Sequence, residues 1–167
     1  MRLRSFLLGG LAAAALAGPA LAADITCTEG TKDRLYVNVT GIKASSGLVA
    51  VTLYANDPKK FLAHHGSLGV ARVRAQAGAT RVCVSLPGPG QYAAAVYHDV
   101  DGDGKLDRTL LLPSEPFALS NNPPPKMAWP KIGPSLFSTH PGENSITVRL
   151  QKAPKKKTEA DGDDNPA

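Results

Sequence analysis

Apolar and polar positions alternate with a period of two along most of this chain, the mark of half-buried β-strands. Leu35-Tyr36-Val37-Asn38-Val39-Thr40 alternates directly after Arg34. Residues 48–54, LVAVTLY, are β-branched and mostly apolar. Lys43-Ala44-Ser45-Ser46-Gly47 between them is a turn-type cluster, so the two segments read as a hairpin. Residues 70–75 alternate with Arg72 and Arg74 outward, and residues 80–86 alternate with Val82, Val84 and Leu86 on one face. Gly78 makes the turn of this second hairpin. Residues 92–97 form a longer apolar run, suited to a strand covered on both faces. SITVRL, residues 145–150, is a last alternating strand with Ile146, Val148 and Leu150 on one side.

One place reads as helical. Asn56-Asp57-Pro58-Lys59-Lys60-Phe61-Leu62-Ala63 supplies a capping Asp, a Pro at the first helical position and a short apolar face, enough for about two turns. The pattern is an all-β antiparallel sandwich with one short helix. Residues 113–141 are a long Pro-rich excursion before the last strand, of the kind that is functional or disordered.

The two ends have another character. Arg2 and Arg4 precede an apolar run over residues 6–17 that is too short to span a bilayer. Pro19 and then Ala20-Leu21-Ala22 complete a secretory signal peptide over residues 1–22, cut after Ala22 or Ala23. The sandwich then occupies residues 24–151, and residues 152–167 are a charged, disordered tail. The Ala-rich leader suggests a bacterial precursor and a periplasmic or secreted product, with no integral membrane segment after cleavage. Its loss lowers the formal charge from +5 to +3. Lys155-Lys156-Lys157 is offset by the acidic residues that follow it. A basic face with aromatic platforms is missing, which excludes nucleic acid as a partner. Cys27 and Cys83 both lie in the exported part, where such a pair forms a structural disulfide; no C-x-x-C spacing points to redox catalysis.

The chain resembles the bacterial "domain of unknown function 2141" family of small exported proteins over about residues 35–150. The likeness rests on ordered blocks: Val39-Thr40-Gly41-Ile42, residues 47–54, Leu86-Pro87-Gly88-Pro89-Gly90-Gln91-Tyr92-Ala93, Val96-Tyr97-His98-Asp99 and Gly102-Asp103-Gly104-Lys105-Leu106-Asp107. Phe117, Ser120-Asn121-Asn122 and Pro134-Ser135-Leu136-Phe137 follow in order. The resemblance implies an exported β-sandwich whose Leu-Pro-Gly-x-Gly-x-Tyr is like the turn and strand of prealbumin-like or Ig-like domains. It implies no activity. Where typical members carry a D-x-N-G-N-G loop, this chain has Asp101 and Asp103.

The chemistry converges on one loop. Asp99-x-Asp101-x-Asp103-Gly104 has the spacing of a calcium loop, in which alternate side chains of a tight turn point to one centre. Gly104 allows the sharp turn, the Lys105 carbonyl supplies a further oxygen, and Asp107 ligates directly or through water. The twelfth loop position is Leu110 in place of the bidentate Glu, so calcium bound here would rigidify a loop and not open a sensor; the alternative is a solvated Asp-Gly turn that holds no ion. Glu115, or the amides of Asn121 and Asn122, can complete the shell. The expected function is an exported, non-enzymatic binding or structural module whose partner is a protein or glycan. The alternative is a periplasmic metal-dependent or hydrolase-like enzyme at the His98/Asp99 corner, with Ser120 as nucleophile. His64 and His65 read as a solvated pair whose rings diverge. Trp129, with Asn121 and Asn122, is a candidate platform for a ligand.

Overall fold

The apolar run of residues 92–97 becomes the centre of the larger sheet. In the computed structural model, which describes residues 22–106, 108–109, 112–124 and 130–152, it forms strand β5 (Gly90–Asp99). Tyr92, Ala94 and Val96 point into the main core, while Ala93 and Tyr97 are buried on the opposite face, so the strand is covered on both sides as its composition demands.

The other main strands are β1 (Arg34–Ile42), β2 (Leu48–Ala55), β3 (Gly69–Arg74), β4 (Gly78–Ser85) and β10 (Glu143–Arg149). Short strands are β6 (Arg108–Thr109), β7 (Leu112–Pro113), β8 (Phe117–Leu119) and β9 (Phe137–Thr139). One sheet has the order β10-β1-β4 and the other β3-β2-β5-β8, with β9 also on β5; β6 and β7 make a small hairpin. The fold is an all-β sandwich. Its core lies between the sheets, from Leu35, Val37 and Val39 of β1 and Val82 and Val84 of β4 to Val49, Val51 and Leu53 of β2. Each of these side chains removes roughly 2–3 kcal/mol worth of apolar surface from water.

Several expectations are corrected. β1 and β2 are not a hairpin: β1 pairs with β4 and β10, β2 with β3 and β5. β3 and β4 likewise belong to different sheets. Local alternation reports which face of a strand is buried and leaves its neighbour open. β1 alternates buried with partly exposed positions, whereas β2 is buried almost throughout, a difference that already places them in unlike surroundings. β1 and β10 run parallel, Arg34 opposite Glu143, because the long segment between β5 and β10 returns the chain to the starting end of β1. That segment, expected to be irregular, carries β8 and β9 along one edge of β5.

The expected short helix is absent. Asp57 does begin a helical turn: Phe61 N–H donates to its carbonyl at 3.0 Å, and its side chain accepts from Lys59 N–H at 2.9 Å. Leu62 then takes φ 57°, which no right-handed helix accommodates, and the segment continues as turns. Phe61 still docks, edge-on against Tyr54 at 5.3 Å between ring centroids.

Both open flanks of the sandwich are laced. Residues 23–27 pass between β3 and β4: Asp24 bridges to Val70 of one sheet and Thr26 to Val84 of the other. The disulfide Cys27–Cys83 closes there. On the opposite flank Phe117 of β8 and Gln151 exchange two backbone bonds of 2.9 Å. Exposed edges invite pairing with other chains, and both are covered here. No helix among the described residues is long and apolar enough to cross a membrane. The expected leader (residues 1–22) and the expected charged tail (residues 152–167) lie outside the described residues except for Ala22 and Lys152.

Candidate functional site

Asp99 ends β5 with no exposed surface, and the acidic turn is built on it. Its Oδ1 accepts from Gly102 N–H at 2.7 Å and its Oδ2 from Gly104 N–H at 2.9 Å. Asp101 Oδ1 accepts from Asp103 N–H at 3.2 Å, and Asp103 Oδ1 from Lys105 N–H at 2.7 Å. Each aspartate thus folds the chain just ahead of it, the local habit of Asp in turns. Gly102 (φ 77°) and Gly104 (φ 81°) take the left-handed conformations that let the chain reverse over Asp99. The result gathers one carboxylate oxygen from each of Asp99, Asp101 and Asp103 within 4.8 Å of one another; Asp101 and Asp103 are exposed.

The turn is fastened to the outer face of the larger sheet. Tyr97 hydroxyl and Arg72 Nη2 both donate to the Gly104 carbonyl, at 3.3 and 3.2 Å. Glu115 Oε1 accepts from Val100 N–H at 2.8 Å. Leu106 packs against the buried cluster of Ala50, Val70 and Tyr97. Burial pushes the Tyr97 phenol above its ordinary range; Arg72 opposes the shift, and Asp99 and Glu115 add to it. Underneath, Gly47 (φ 67°) lets β2 begin in contact with the Asp99 and Val100 carbonyls: a Cβ there would lie 1.9 Å from Asp99 O.

The residues drawn together by sequence reasoning fare differently. Asp107 and Leu110 lie outside the described residues, as does Trp129. Glu115 meets the turn through the Val100 amide. Asn121 and Asn122 do not reach it. Ser120 sits opposite Ala94, so the asparagines begin about 17 Å along β5 from Asp99. Both take left-handed φ, 62° and 50°, and both amides serve the backbone. Asn121 Nδ2 donates to Leu136 O at 2.7 Å. Asn122 Nδ2 donates to Thr147 O at 3.0 Å, and its Oδ1 accepts from Arg149 N–H at 2.7 Å.

The three nominated catalytic side chains do not converge. His98 and Asp99 are successive strand residues and project to opposite faces. His98 is 2% exposed, and its Nε2 lies 2.8 Å from Ser46 O; a carbonyl only accepts, so this nitrogen carries the proton. Ser120 is fully buried beside Ala94, where its Oγ accepts from Ala94 N–H at 2.9 Å. His64 and His65 are exposed at the other end of the sheet, and their rings do not diverge: φ 56° at His65 brings them edge to face at 3.8 Å.

What sequence reasoning missed are two fasteners, Tyr97 and Arg72; Glu115 was expected at the turn as a ligand and meets it as a hydrogen-bond acceptor. Tyr97 carried one usable signal, since it is two residues before Asp99 and therefore on the same face.

The fold and this turn define a small disulfide-bonded β-sandwich with an acidic loop at one end of its central strand. Residues 37–147 match the DUF2141 family, described as an uncharacterized protein conserved in bacteria, and the chain belongs to that family. No curated protein and no solved structure matches the chain significantly.

Proposed function

We propose that this protein is an exported, non-enzymatic binding or structural module of the bacterial envelope whose acidic turn is held rigid by calcium. One observation carries the calcium reading: the three carboxylate oxygens within 4.8 Å. Calcium binds oxygens at about 2.3–2.6 Å, so members of one shell are at most about 5 Å apart, and the set fits that sphere. Each oxygen that accepts one N–H retains a lone pair for a cation. Asp99, Asp101 and Asp103 would hold the ion, with the Lys105 carbonyl, Asp107 and water completing the shell. The bound charge would relieve the repulsion among the carboxylates.

Export is supported by the leader pattern over residues 1–22 and by the Cys27–Cys83 disulfide, which belongs to oxidising compartments. A periplasmic or secreted location follows. A protein or glycan is the expected partner.

The test is a thermal melt of the oxidised chain in calcium and in chelator. Calcium at about a hundred times its Kd adds about 2.7 kcal/mol and raises Tm by several degrees. A melting temperature that neither calcium nor chelator moves rejects the ion; magnesium, which keeps more of its water, should act more weakly.

A further inference from the structure

We propose that residues 23–27 are a redox latch. While the Cys27–Cys83 bond is closed they cover the facing edges of β3 and β4; reducing the bond releases them and leaves both edges open on an otherwise standing sandwich.

The latch sits between two sheets that no other strand joins on this flank among the described residues. Val70 N–H donates to Ala23 O at 2.8 Å and Ile25 N–H to Val70 O at 3.2 Å, fixing the segment to β3. Ser85 N–H donates to Ile25 O at 2.7 Å and Cys27 N–H to Cys83 O at 3.1 Å, fixing it to β4. Gly69 makes the close approach possible, since a Cβ there would lie 2.6 Å from Ala23 O and 2.5 Å from the Ile25 side chain.

Little besides the covalent bond supplements those contacts. Ile25 is the latch's one contribution to the core, and it is only partly buried. Asp24 is exposed, and its carboxylate is occupied within the latch by the backbone and hydroxyl of Thr26. The body has its own support: the buried core is drawn from β1, β2, β4 and β5 with Ala71 of β3, Ala118 of β8 and Val148 of β10, and the bond ties the lead-in to β4 without joining two core strands. Opening free energies differ across a structure, and a segment with few buried contacts opens first.

Both cysteines are only partly buried, and the latch requires that an external thiolate reach the bond from that side. A dithiol reductant attacks one sulfur to form a mixed disulfide, and its second thiol displaces the chain. The chain gains two electrons and two protons as two thiols; the reductant leaves as a disulfide. What is uncovered is a row of amides and carbonyls at Val70, Cys83 and Ser85, the kind of edge that accepts an added strand. An oxidising compartment keeps that row covered. The inference does not depend on calcium.

The test is amide hydrogen exchange of the full chain with and without a dithiol reductant. The Val70 and Ser85 amides should exchange at least roughly tenfold faster after reduction while β2 and β5 keep their protection. Unchanged exchange at Val70 and Ser85 overturns the latch, and so does acceleration throughout the core, which would make the bond a global staple. The double variant Cys27→Ser/Cys83→Ser should fold and reproduce the reduced pattern; its failure to fold also counts against the proposal.

Discussion

The Tyr97 hydroxyl donates to the carbonyl oxygen of Gly104 at 3.3 Å, so the strand that delivers Asp99 also grips the far side of the turn that Asp99 begins. Arg72 Nη2 shares that oxygen from β3. The acidic loop is therefore fixed at its start by Asp99 and at its reversal by two donors from the sheet below.

Tyr97→Phe should lower stability by about 1 kcal/mol and weaken calcium binding several-fold. It should also change the alkaline limb. Burial raises the folded-state pKa of Tyr97, so the stability it contributes is complete below the ordinary phenol value of about 10 and is lost as pH climbs through the raised folded value. Melts between pH 8 and 11.5 should thus fall more steeply for the parent than for Tyr97→Phe. Tyr92 is raised by burial too and has the same sign, so Tyr92→Phe should flatten a further part of that limb.

Asp99 and Asp101 should separate in a way that distinguishes scaffolding from ligation. Asp99→Asn sets an amide N–H against the Gly102 or Gly104 N–H and should cost about 1–3 kcal/mol even in chelator. Asp101→Asn, at an exposed position, should stay within about 0.5 kcal/mol of the parent in chelator yet lose most of the calcium shift. Urea titrations in both conditions measure the two effects. Equal calcium shifts in Asp101→Asn and the parent would count against ligation by this residue.

Gly47→Ala should be among the most damaging single changes. The new Cβ meets the Asp99 carbonyl at 1.9 Å, with φ 67° adding backbone strain, so a loss of about 2 kcal/mol or more is expected. Denaturant midpoints at constant m-value read it directly.

Asn122→Ala tests the asparagine pair. It removes the bonds to Thr147 and Arg149 and leaves a left-handed residue without its side-chain support. Stability should fall by about 1–3 kcal/mol while the calcium shift is unchanged, because the residue belongs to the β8–β10 flank. A lost calcium shift would place Asn122 in the ion site after all.

The strands were legible in the sequence because each states its buried face locally: Val82, Val84 and Leu86 point inward as their spacing requires. Their partners were not legible. Lys43–Gly47 has hairpin composition, yet it carries the chain from one sheet to the other, and only the unlike burial of β1 and β2 hinted at this. The Asp57 cap was a sound start signal, but nothing in Phe61-Leu62-Ala63 announced a left-handed Leu62, which follows directly on the Phe61 docked against Tyr54. At the site, Asp99, Asp101 and Asp103 converge through short-range turns that spacing encodes. Glu115 was expected beside the loop and is found there, on the Val100 amide, whereas Arg72 arrives from a strand of another segment and no periodicity predicts that contact.

The parallel pairing of Arg34 with Glu143 sets a schedule for synthesis on the ribosome. β4 is made long before β10, so one side of β1 can be filled while the other waits until residues 43–142 have all been made. A chain delivered from its N-terminal end therefore cannot complete its smaller sheet midway. The topology holds back the last step of folding until almost all of the domain has been made.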